Sequence, residues 1–191
     1  MDEIMKKDIR KACEVMQKGG VILYPTDTIW GIGCDATNAE AVKRVYEIKK
    51  RSDSKAMLVL VDNAVKVDFY VDGAPEVAFD LIELTNKPLT IIYDGAKNLA
   101  PNLIAEDGSV GIRVTSEEFS NQLCYRFRKA IVSTSANVSG EPSPATFGEI
   151  SDEIKQAVDY IVQSRQQENK ASQSSSIIKL GKGGQVKVIR E

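Results

Sequence analysis

A short apolar run that opens into polar residues is the part of this chain best suited to chemistry. Residues 131–140 read Ile-Val-Ser-Thr-Ser-Ala-Asn-Val-Ser-Gly. The apolar start predicts a buried strand. The hydroxyls and Asn137 then offer hydrogen-bond donors and acceptors at the end of that strand, where α/β sheets usually bind ligands. The segment therefore indicates a ligand-binding loop, and a serine-rich turn that caps the next element is the alternative.

Three further polar clusters follow predicted strands or helices. They are Thr-Asp-Thr at 26–28, Lys-Lys-Arg at 49–51 with Lys55, and Ser109 with Arg113. If the strands are neighbours, these groups converge on one cationic cleft that is rich in hydroxyls. Guanidinium and ammonium groups hold phosphate charge, while hydroxyls and amides fix orientation. The constellation therefore suits a polyphosphate together with a small polar molecule, and the sequence contains no Walker A pattern that would make it a P-loop site.

Each of these clusters also has a purely structural explanation. Cations at 49–51 are favoured in the last turn of a helix whatever the function. Arg113 lies between two apolar residues, as a residue on the solvated face of a strand would. Thr26 and Asp27 fit an ordinary turn after Pro25. Chance convergence of all the clusters is harder to accept.

The chain contains no histidine, and this restricts its chemistry. Ser-His-Asp triads, Cys-His dyads and His-ligated zinc are therefore excluded. Any catalysis must use lysine, arginine, carboxylate or hydroxyl groups, or groups of the substrate itself. The three cysteines, Cys13, Cys34 and Cys124, are widely spaced and odd in number. This spacing predicts neither a disulfide framework nor a CxxC metal site, and we expect the three thiols to be buried.

The bulk composition is that of an ordinary globular protein, with 42% hydrophobic and 27% charged residues. A length of 191 residues fits one domain spanning 1–191. The longest aliphatic run, 57–61, is too short to span a bilayer, and the acidic start lacks the features of a signal peptide. We therefore expect a cytoplasmic protein with no membrane partner. A net charge of −2 argues against a surface that is basic all over.

Predicted strands and helices alternate along the chain, which favours an α/β sheet covered by helices. Thr-x-x-Glu patterns beginning at Thr37, Thr115 and Thr146 predict capping boxes at three helix starts. The predicted helices cover residues 3–18, 37–51, 75–84, 115–127 and 146–158, and the predicted strands cover 21–24, 57–61, 89–93, 109–114 and 130–135, with a terminal hairpin of 177–180 and 186–189.

Residues 163–176 are rich in Gln, Ser, Asn, Lys and Glu. Such a segment cannot bury itself, so the composition predicts a mobile polar loop within the domain. A lid over a site and a tolerated insertion are both compatible with it.

Four ordered segments resemble the YrdC/YciO family of threonylcarbamoyl-AMP synthases. They are residues 24–33 (Tyr-Pro-Thr-Asp-Thr-Ile-Trp-Gly-Ile-Gly), Lys49-Lys50-Arg51 with Lys55, residues 110–114 (Val-Gly-Ile-Arg-Val), and residues 133–140. The likeness spans nearly the whole chain and includes Ser175-Ser176-Ile177-Ile178. One departure is Thr-Asn-Lys-Pro-Leu-Thr at 85–90, where the family usually has Trp-Pro-Gly-Pro-Leu-Thr.

The resemblance implies a single α/β domain whose twisted mixed sheet encloses a deep cleft. It implies an enzyme that joins L-threonine, bicarbonate and ATP into threonylcarbamoyl-AMP and releases diphosphate, for threonylcarbamoyladenosine modification of tRNA. Mg²⁺ is expected with ATP and no metal site on the protein, and tRNA or a tRNA-modifying protein is a further expected partner. The family's Lys-x-Arg and Ser-x-Asn signatures fall on Lys49 with Arg51 and on Ser135 with Asn137.

The site residues implied by the resemblance divide into three groups. Catalytic roles fall on Lys49 and Arg51. Threonine contacts fall on Thr28, Arg113, Ser133 and Ser175, and ATP contacts fall on Arg51, Lys55, Ser109, Ser135, Asn137, Ser143 and Arg190.

This chemistry agrees with the absence of histidine. The threonine amine can add to carbon dioxide, and the resulting carbamate can attack the α-phosphate without a protein nucleophile. Two other functions remain open from the sequence: a non-catalytic RNA-binding or ribosome-associated member of the same fold, and an ATP-dependent adenylating enzyme with a different carboxylate substrate.

Overall fold

A computed structural model describes residues 1–51, 57–169 and 173–191 of the chain. Within these ranges the helices are α1 (Glu3–Gln17), α2 (Ala39–Ile48), α3 (Val65–Tyr70), α4 (Glu76–Leu84), α5 (Glu118–Phe127) and α6 (Asp152–Ala157). The strands are β1 (Ile22–Tyr24), β2 (Gly31–Gly33), β3 (Leu58–Val61), β4 (Leu89–Tyr93), β5 (Val110–Val114), β6 (Ile131–Ser135), β7 (Tyr160–Ile161), β8 (Ser176–Leu180) and β9 (Val186–Arg190).

The described strands form one mixed sheet in the order β7-β1-β2-β6-β3-β5-β4-β8-β9. The β1–β7, β3–β5 and β4–β8 pairs are parallel, and the other neighbours are antiparallel. The predicted mixed sheet covered by helices is therefore confirmed, and so is the terminal hairpin of β8 and β9. The depth of the cleft stays a prediction.

Gly33 of β2 allows a close approach of neighbouring strands inside the sheet. A Cβ atom on Gly33 would lie 2.5 Å from the ring of Tyr24 and 2.7 Å from the carbonyl oxygen of Val132. The Tyr24 hydroxyl donates to that same oxygen at 3.0 Å. Only glycine leaves room for this packing, which holds β1, β2 and β6 together beneath the predicted ligand-binding loop.

The helix starts differ from the predicted capping boxes. Asn38, not Thr37, caps α2, because its side chain accepts from the backbone N–H of Ala41. The Thr37 hydroxyl donates instead to Asp35 at 2.6 Å. Because the Thr37 hydroxyl is bound to Asp35, the cap lies one residue later than predicted and the helix itself covers Ala39–Ile48 instead of 37–51.

The other two helix starts are shifted in the same direction. Glu117, not Thr115, caps α5 by accepting from two backbone N–H groups. Thr146 leads only a short 3₁₀ turn, Phe147–Glu149, after which the chain straightens at Ile150 and Ser151 caps α6. The predicted continuous helix to residue 158 is therefore wrong. Helix α3 was not predicted.

The polar segment 163–176 is anchored at its beginning. The carboxylate of Asp8, a buried residue of α1, accepts from the backbone N–H of Ser164 at 2.7 Å and from its hydroxyl at 2.5 Å. It also accepts from the N–H of Gln163 and from the hydroxyl of Tyr160. These contacts fix the entry to the segment, and the mobility of the remainder stays a prediction.

The predicted burial of the cysteines is confirmed, because Cys13, Cys34 and Cys124 are all buried free thiols. Among the described residues, no helix is both long and apolar enough to cross a bilayer.

Candidate functional site

A pocket of about 310 Å³ opens on the face of the sheet formed by β6, β3, β5, β4 and β8. Most of the residues predicted for the site line this pocket. They are Thr28, Arg51, Ser109, Arg113, Ser133, Ser135, Ser143, Ser175 and Arg190. The predicted convergence of the clusters therefore occurs. Lys55 lies outside the described residues.

Strand register explains why residues distant in sequence meet here. Ser133 of β6 is paired with Leu58 of β3, which is paired with Gly111 of β5. Arg113 of β5 is paired with Thr90 of β4. Because paired residues project from the same face of a sheet, these positions form one surface.

Arg113 is the centre of the hydrogen bonding in the pocket and is only 3% exposed. Its guanidinium donates to the hydroxyl of Thr28 at 3.2 Å and, at 3.4 Å each, to the hydroxyls of Thr90 and Ser175. The suggestion that Arg113 only marks a solvated strand face is therefore wrong. Its planar donors instead arrange a ring of hydroxyls around one position.

Asp27 fixes the other edge of the Arg113 guanidinium. Both Nε and Nη2 of Arg113 lie 3.0 Å from the Oδ1 atom of Asp27. Burial raises the pKa of Asp27, and the charge of Arg113 opposes that rise. Asp27 is thus a partner of the site and not an ordinary turn residue. The polar cluster 26–28 included it, but the resemblance assigned it no role.

Arg190 and Ser175 bring the terminal hairpin to the pocket. The guanidinium of Arg190 donates to the carbonyl oxygen of Ser175 at 2.9 and 2.7 Å. The hydroxyls of Ser175 and Thr90 lie 2.8 Å apart. The start of β8 is therefore held between two arginines, Arg113 and Arg190.

Lys49 lies beneath the loop that follows β6. Its Nζ atom donates to the carbonyl oxygens of Ser135 at 2.5 Å and Asn137 at 2.7 Å, and the side chain is almost fully buried. Burial, and secondarily the charge of Arg51, lowers the pKa of Lys49 to about 8. Among the described residues Arg51 lines the pocket and Lys49 does not. Lys49 thus positions the Ser-x-Asn backbone, and its catalytic role stays a prediction.

The side chain of Asn137 also shapes this loop. Its amide nitrogen donates to the carbonyl oxygens of Val138 and Glu141 at 3.0 and 2.9 Å. The Ser143 hydroxyl lies 3.5 Å from its amide oxygen, so Asn137 orients Ser143, which does line the pocket. Asn137 itself is not among the described residues that line it.

The electrostatics of the pocket favour an anion. Burial lowers the pKa of Arg51. Burial, and secondarily the charge of Arg113, lowers the pKa of Arg190. The pKa of Lys49 is also lowered, as described above. Each shift means that the charged form is less stable than it would be in water. A bound polyanion would offset this desolvation by pairing with the buried cations.

Sequence reasoning missed several pocket residues. Thr90, Gly111, Ile92 and Trp30 all line the pocket. Alternation along β4 and β5 offered a signal, because Arg113 and Gly111 are two residues apart and therefore share a face. The pairing of β4 with β5 places Thr90 beside Arg113 and Ile92 beside Gly111, and the sequence does not give the register of that pairing. Trp30 also packs on Phe147, with ring centroids 4.8 Å apart.

The fold and the pocket define an α/β protein whose mixed sheet carries a cationic, hydroxyl-rich site. The chain belongs to the Sua5/YciO/YrdC family, whose model, described as telomere recombination, matches residues 14–191. It is 32% identical over 157 residues to a threonylcarbamoyl-AMP synthase of Pseudoalteromonas translucida. The matched region covers 81% of this chain and 84% of that protein.

Two solved structures show the same fold. Escherichia coli YciO superposes with a TM-score of 0.84 at 26% identity, covering 97% of this chain and 89% of that one. Sua5 of P. abyssi complexed with L-threonine superposes with a TM-score of 0.80 at 23% identity, covering 90% of this chain. The chain spans about half of that Sua5 chain, with 50% covered.

Proposed function

We propose that this protein is a threonylcarbamoyl-AMP synthase, which joins L-threonine, bicarbonate and ATP and releases diphosphate. The observation that carries the proposal is the convergence of Arg51, Arg113 and Arg190 with a ring of serine and threonine hydroxyls in one pocket. The guanidiniums suit a triphosphate, and the hydroxyls suit a small amino acid. The name of the Pseudoalteromonas relative supports the same activity.

The reaction needs alignment more than it needs a protein nucleophile. Bicarbonate takes up a proton and loses water to give carbon dioxide. The threonine amine then forms a bond to the carbon of carbon dioxide and loses a proton, which gives a carbamate. A carbamate oxygen then attacks the α-phosphorus, and the bond from that phosphorus to the bridging oxygen breaks as diphosphate leaves. The residues of the pocket orient the reactants and neutralise the charge that develops on the phosphate.

The pocket divides naturally into two ends in this proposal. Arg113 with the hydroxyls of Thr28, Ser133 and Ser175 receives threonine, because these groups surround one small position. Arg51 after α2, Ser135 at the end of β6 and Ser143 in the loop after β6 also line the pocket and receive the phosphates in this proposal. Lys49 fixes the carbonyl groups of that loop, so the backbone that faces the phosphates keeps its conformation.

Mg²⁺ would enter with ATP. No cluster of three or more metal-ligating side chains occurs in the described part of the chain, and the lining found there consists of guanidiniums, hydroxyls and apolar groups. Mg²⁺ prefers oxygen ligands, with phosphates and water among them. These residues do not fit a resident metal site. Modification of tRNA and a cytoplasmic location belong to the same proposal.

The decisive experiment measures diphosphate release from ATP. We expect release only when threonine and bicarbonate are both present. Equal release in the absence of threonine would refute the proposal. Release supported equally by other amino acids would instead point to a different adenylating enzyme.

Variants of the Lys-Lys-Arg segment distinguish cations that act in the reaction from cations that only stabilise the end of the helix. We expect Lys49→Ala and Arg51→Ala to lower diphosphate release by several orders of magnitude more than Lys50→Ala. Lys50 is the matched control, because its ammonium pairs with Glu153 at 2.7 Å on the exposed surface. Equal effects at all three positions would mean that the cations only stabilise the helix end.

Binding of tRNA tests the non-catalytic alternative. A protein that works by binding RNA phosphates shows a steep loss of affinity with added salt. Steep salt dependence together with the absence of threonine-dependent diphosphate release would favour that alternative.

A further inference from the structure

Strand β5 and Ser109, the residue just before it, present three different surfaces to the pocket in succession. Ser109, Gly111 and Arg113 are two residues apart and all line the pocket, so they follow one another along the same face at intervals of roughly 7 Å. Arg113 marks the cationic end with its ring of hydroxyls. Ser109 marks the opposite end, and Gly111 lies between them.

Gly111 leaves a flat apolar floor in the middle of the pocket. Its neighbours across the sheet are Leu58 on β3 and Ile92 on β4, and both line the pocket. A Cβ atom at position 111 would lie 3.3 Å from the Thr90 methyl group and 3.4 Å from the Leu58 Cβ atom. The missing side chain therefore leaves a platform between two aliphatic groups, which suits the face of a heterocyclic ring.

The Ser109 hydroxyl donates its proton to Asp107. It lies 2.5 Å from the Oδ1 atom of Asp107, which also accepts the backbone N–H of Ser109 at 3.0 Å. The Nζ atom of Lys179 donates to the other carboxylate oxygen at 2.9 Å. Bonds from Ser109 and then from Lys179 lower the pKa of Asp107 to about 2.

The charge of Asp107 determines which residue donates in the hydrogen bond between Ser109 and Asp107. At neutral pH Asp107 is a carboxylate and has no proton to give, so the shared proton belongs to Ser109. The hydroxyl oxygen of Ser109 therefore has lone pairs, and no proton, left for a ligand in the pocket. A group that meets Ser109 there must be a hydrogen-bond donor.

We propose that Asp107 is a positioning residue that holds the Ser109 hydroxyl as an acceptor, and that this acceptor selects the amino edge of adenine over a 6-oxopurine. Adenine offers an N–H donor at the 6-position, while hypoxanthine places a carbonyl oxygen there. Two acceptors facing each other repel and leave both unpaired. This inference rests on the proposed function, because it assigns the base end of the ATP site.

The test compares ATP with inosine triphosphate, which differs from ATP at the 6-position and N1 of the base. We expect the kcat/KM ratio of ATP to inosine triphosphate to fall about tenfold in Ser109→Ala, which is the size expected for one selective hydrogen bond. It should fall similarly in Asp107→Ala, because the freed hydroxyl can rotate and donate to the carbonyl oxygen. Asp107→Asn should keep most of the ratio, since its amide oxygen can still accept from Ser109.

Asp94→Ala is the matched control. The carboxylate of Asp94 also lies near the Nζ atom of Lys179, at 3.6 Å, but the Ser109 hydroxyl donates to Asp107 and not to Asp94. Its variant should keep the wild-type ratio. An unchanged ratio in both Ser109→Ala and Asp107→Ala would overturn the inference. A ratio that changes for 3′-deoxy-ATP and not for inosine triphosphate would also overturn it, because Ser109 would then contact the ribose.

Nucleotide binding keeps this test separate from the proposed function. If no nucleotide supports threonine-dependent diphosphate release, the proposed function fails, and the rise in melting temperature with ATP or with inosine triphosphate is measured instead. A larger rise with ATP that is lost in Asp107→Ala and kept in Asp107→Asn would support the inference. Equal rises in the wild-type protein would overturn it.

Discussion

Lys49 carries an ammonium group into a position that is 1% exposed. The main-chain oxygens of Ser135 and Asn137 accept its hydrogen bonds, but they carry no full negative charge. Desolvation therefore dominates and lowers the pKa from 10.5 to about 8. The free energy of unfolding should record this shift, because the same lysine is fully solvated in the unfolded chain.

The sign of this effect is opposite to that of an ordinary paired lysine. Between pH 8 and 10.5 the unfolded chain holds a proton on Lys49 that the folded protein has released, so the free energy of unfolding rises with pH across this window. At about 1.4 kcal/mol per pKa unit the full rise is about 3 kcal/mol. The free energy of unfolding is measured by urea denaturation across this pH window for the wild-type protein and for Lys49→Met, whose side chain does not titrate. The difference between the two proteins should grow by about 3 kcal/mol from pH 8 to 10.5.

The exposed neighbour Lys50 supplies the control for this measurement. Its pairing with Glu153 raises its pKa, so Lys50→Met should not reproduce the pH-dependent difference. A difference between wild type and Lys49→Met that stays constant from pH 8 to 10.5 would contradict the assigned burial of the charge.

At the scale of single residues, the sequence predicted which side chains reach the pocket. It was less successful in predicting which groups each side chain contacts. Arg51, Arg113 and Arg190 all reach the pocket as expected. The contacts of Lys49 could not be predicted, because backbone carbonyl groups carry no residue-specific signal in a sequence. The partnership of Asp27 with Arg113 joins positions 86 residues apart, and it follows from the fold alone.

Helices and strands were predicted with uneven success, for identifiable reasons. Strand β4 (Leu89–Tyr93) matches its prediction because a compact apolar run is bounded by Pro88 and by the Asp94–Gly95 turn. Two of the Thr-x-x-Glu patterns failed as caps because other side chains bind the threonine hydroxyls, as Asp35 binds Thr37. The hydroxyls of Thr115 and Ser120 lie 2.8 Å apart, which leaves the cap of α5 to Glu117.

The connection from α1 to segment 163–176 links an element to the site. Asp8 fixes Gln163 and Ser164, and the next residue, Arg165, donates to the carbonyl oxygen of Thr26 at 3.1 Å. Thr26 lies beside Thr28, and their hydroxyls are 3.1 Å apart. The carboxylate on α1 therefore supports the turn that presents Thr28 to the pocket.

We expect Asp8→Ala to release this connection. The change leaves four donors without their acceptor, namely the Tyr160 hydroxyl, the N–H of Gln163 and the N–H and hydroxyl of Ser164. Loss of such bonds to a buried carboxylate should cost about 3 kcal/mol. For a chain of this length that corresponds to a melting temperature lower by roughly 6 to 12 °C. Amide hydrogen exchange at residues 163 and 164 should accelerate as well.

Glu14→Ala is the control on the same helix. Glu14 is exposed and lies 3.9 Å from Lys11, so its loss should change the melting temperature little. Unchanged exchange at residues 163 and 164 in Asp8→Ala would show that the segment is held by other contacts.

For the whole molecule, the pocket is assembled from distant parts of the chain. Thr28, Arg113, Ser133 and Ser175 come from four separate segments that meet only in the folded sheet. A ligand that contacts all four binds the folded protein and not the unfolded chain. Ligand binding is therefore linked to global stability, even though each contact is local.

We expect ATP and threonine each to raise the melting temperature. A ligand at about 100 times its Kd stabilises the folded protein by about 2.7 kcal/mol, which is roughly 5 to 10 °C for a chain of this size. Ser133→Ala should lower the rise produced by threonine and leave that produced by ATP, because Ser133 lies beside the proposed threonine position and Ser135 beside the phosphates. Ser139→Ala, whose side chain is outside the described pocket lining, should behave as wild type. If Ser133→Ala instead lost the ATP response and kept the threonine response, the two ends of the pocket would have to be exchanged.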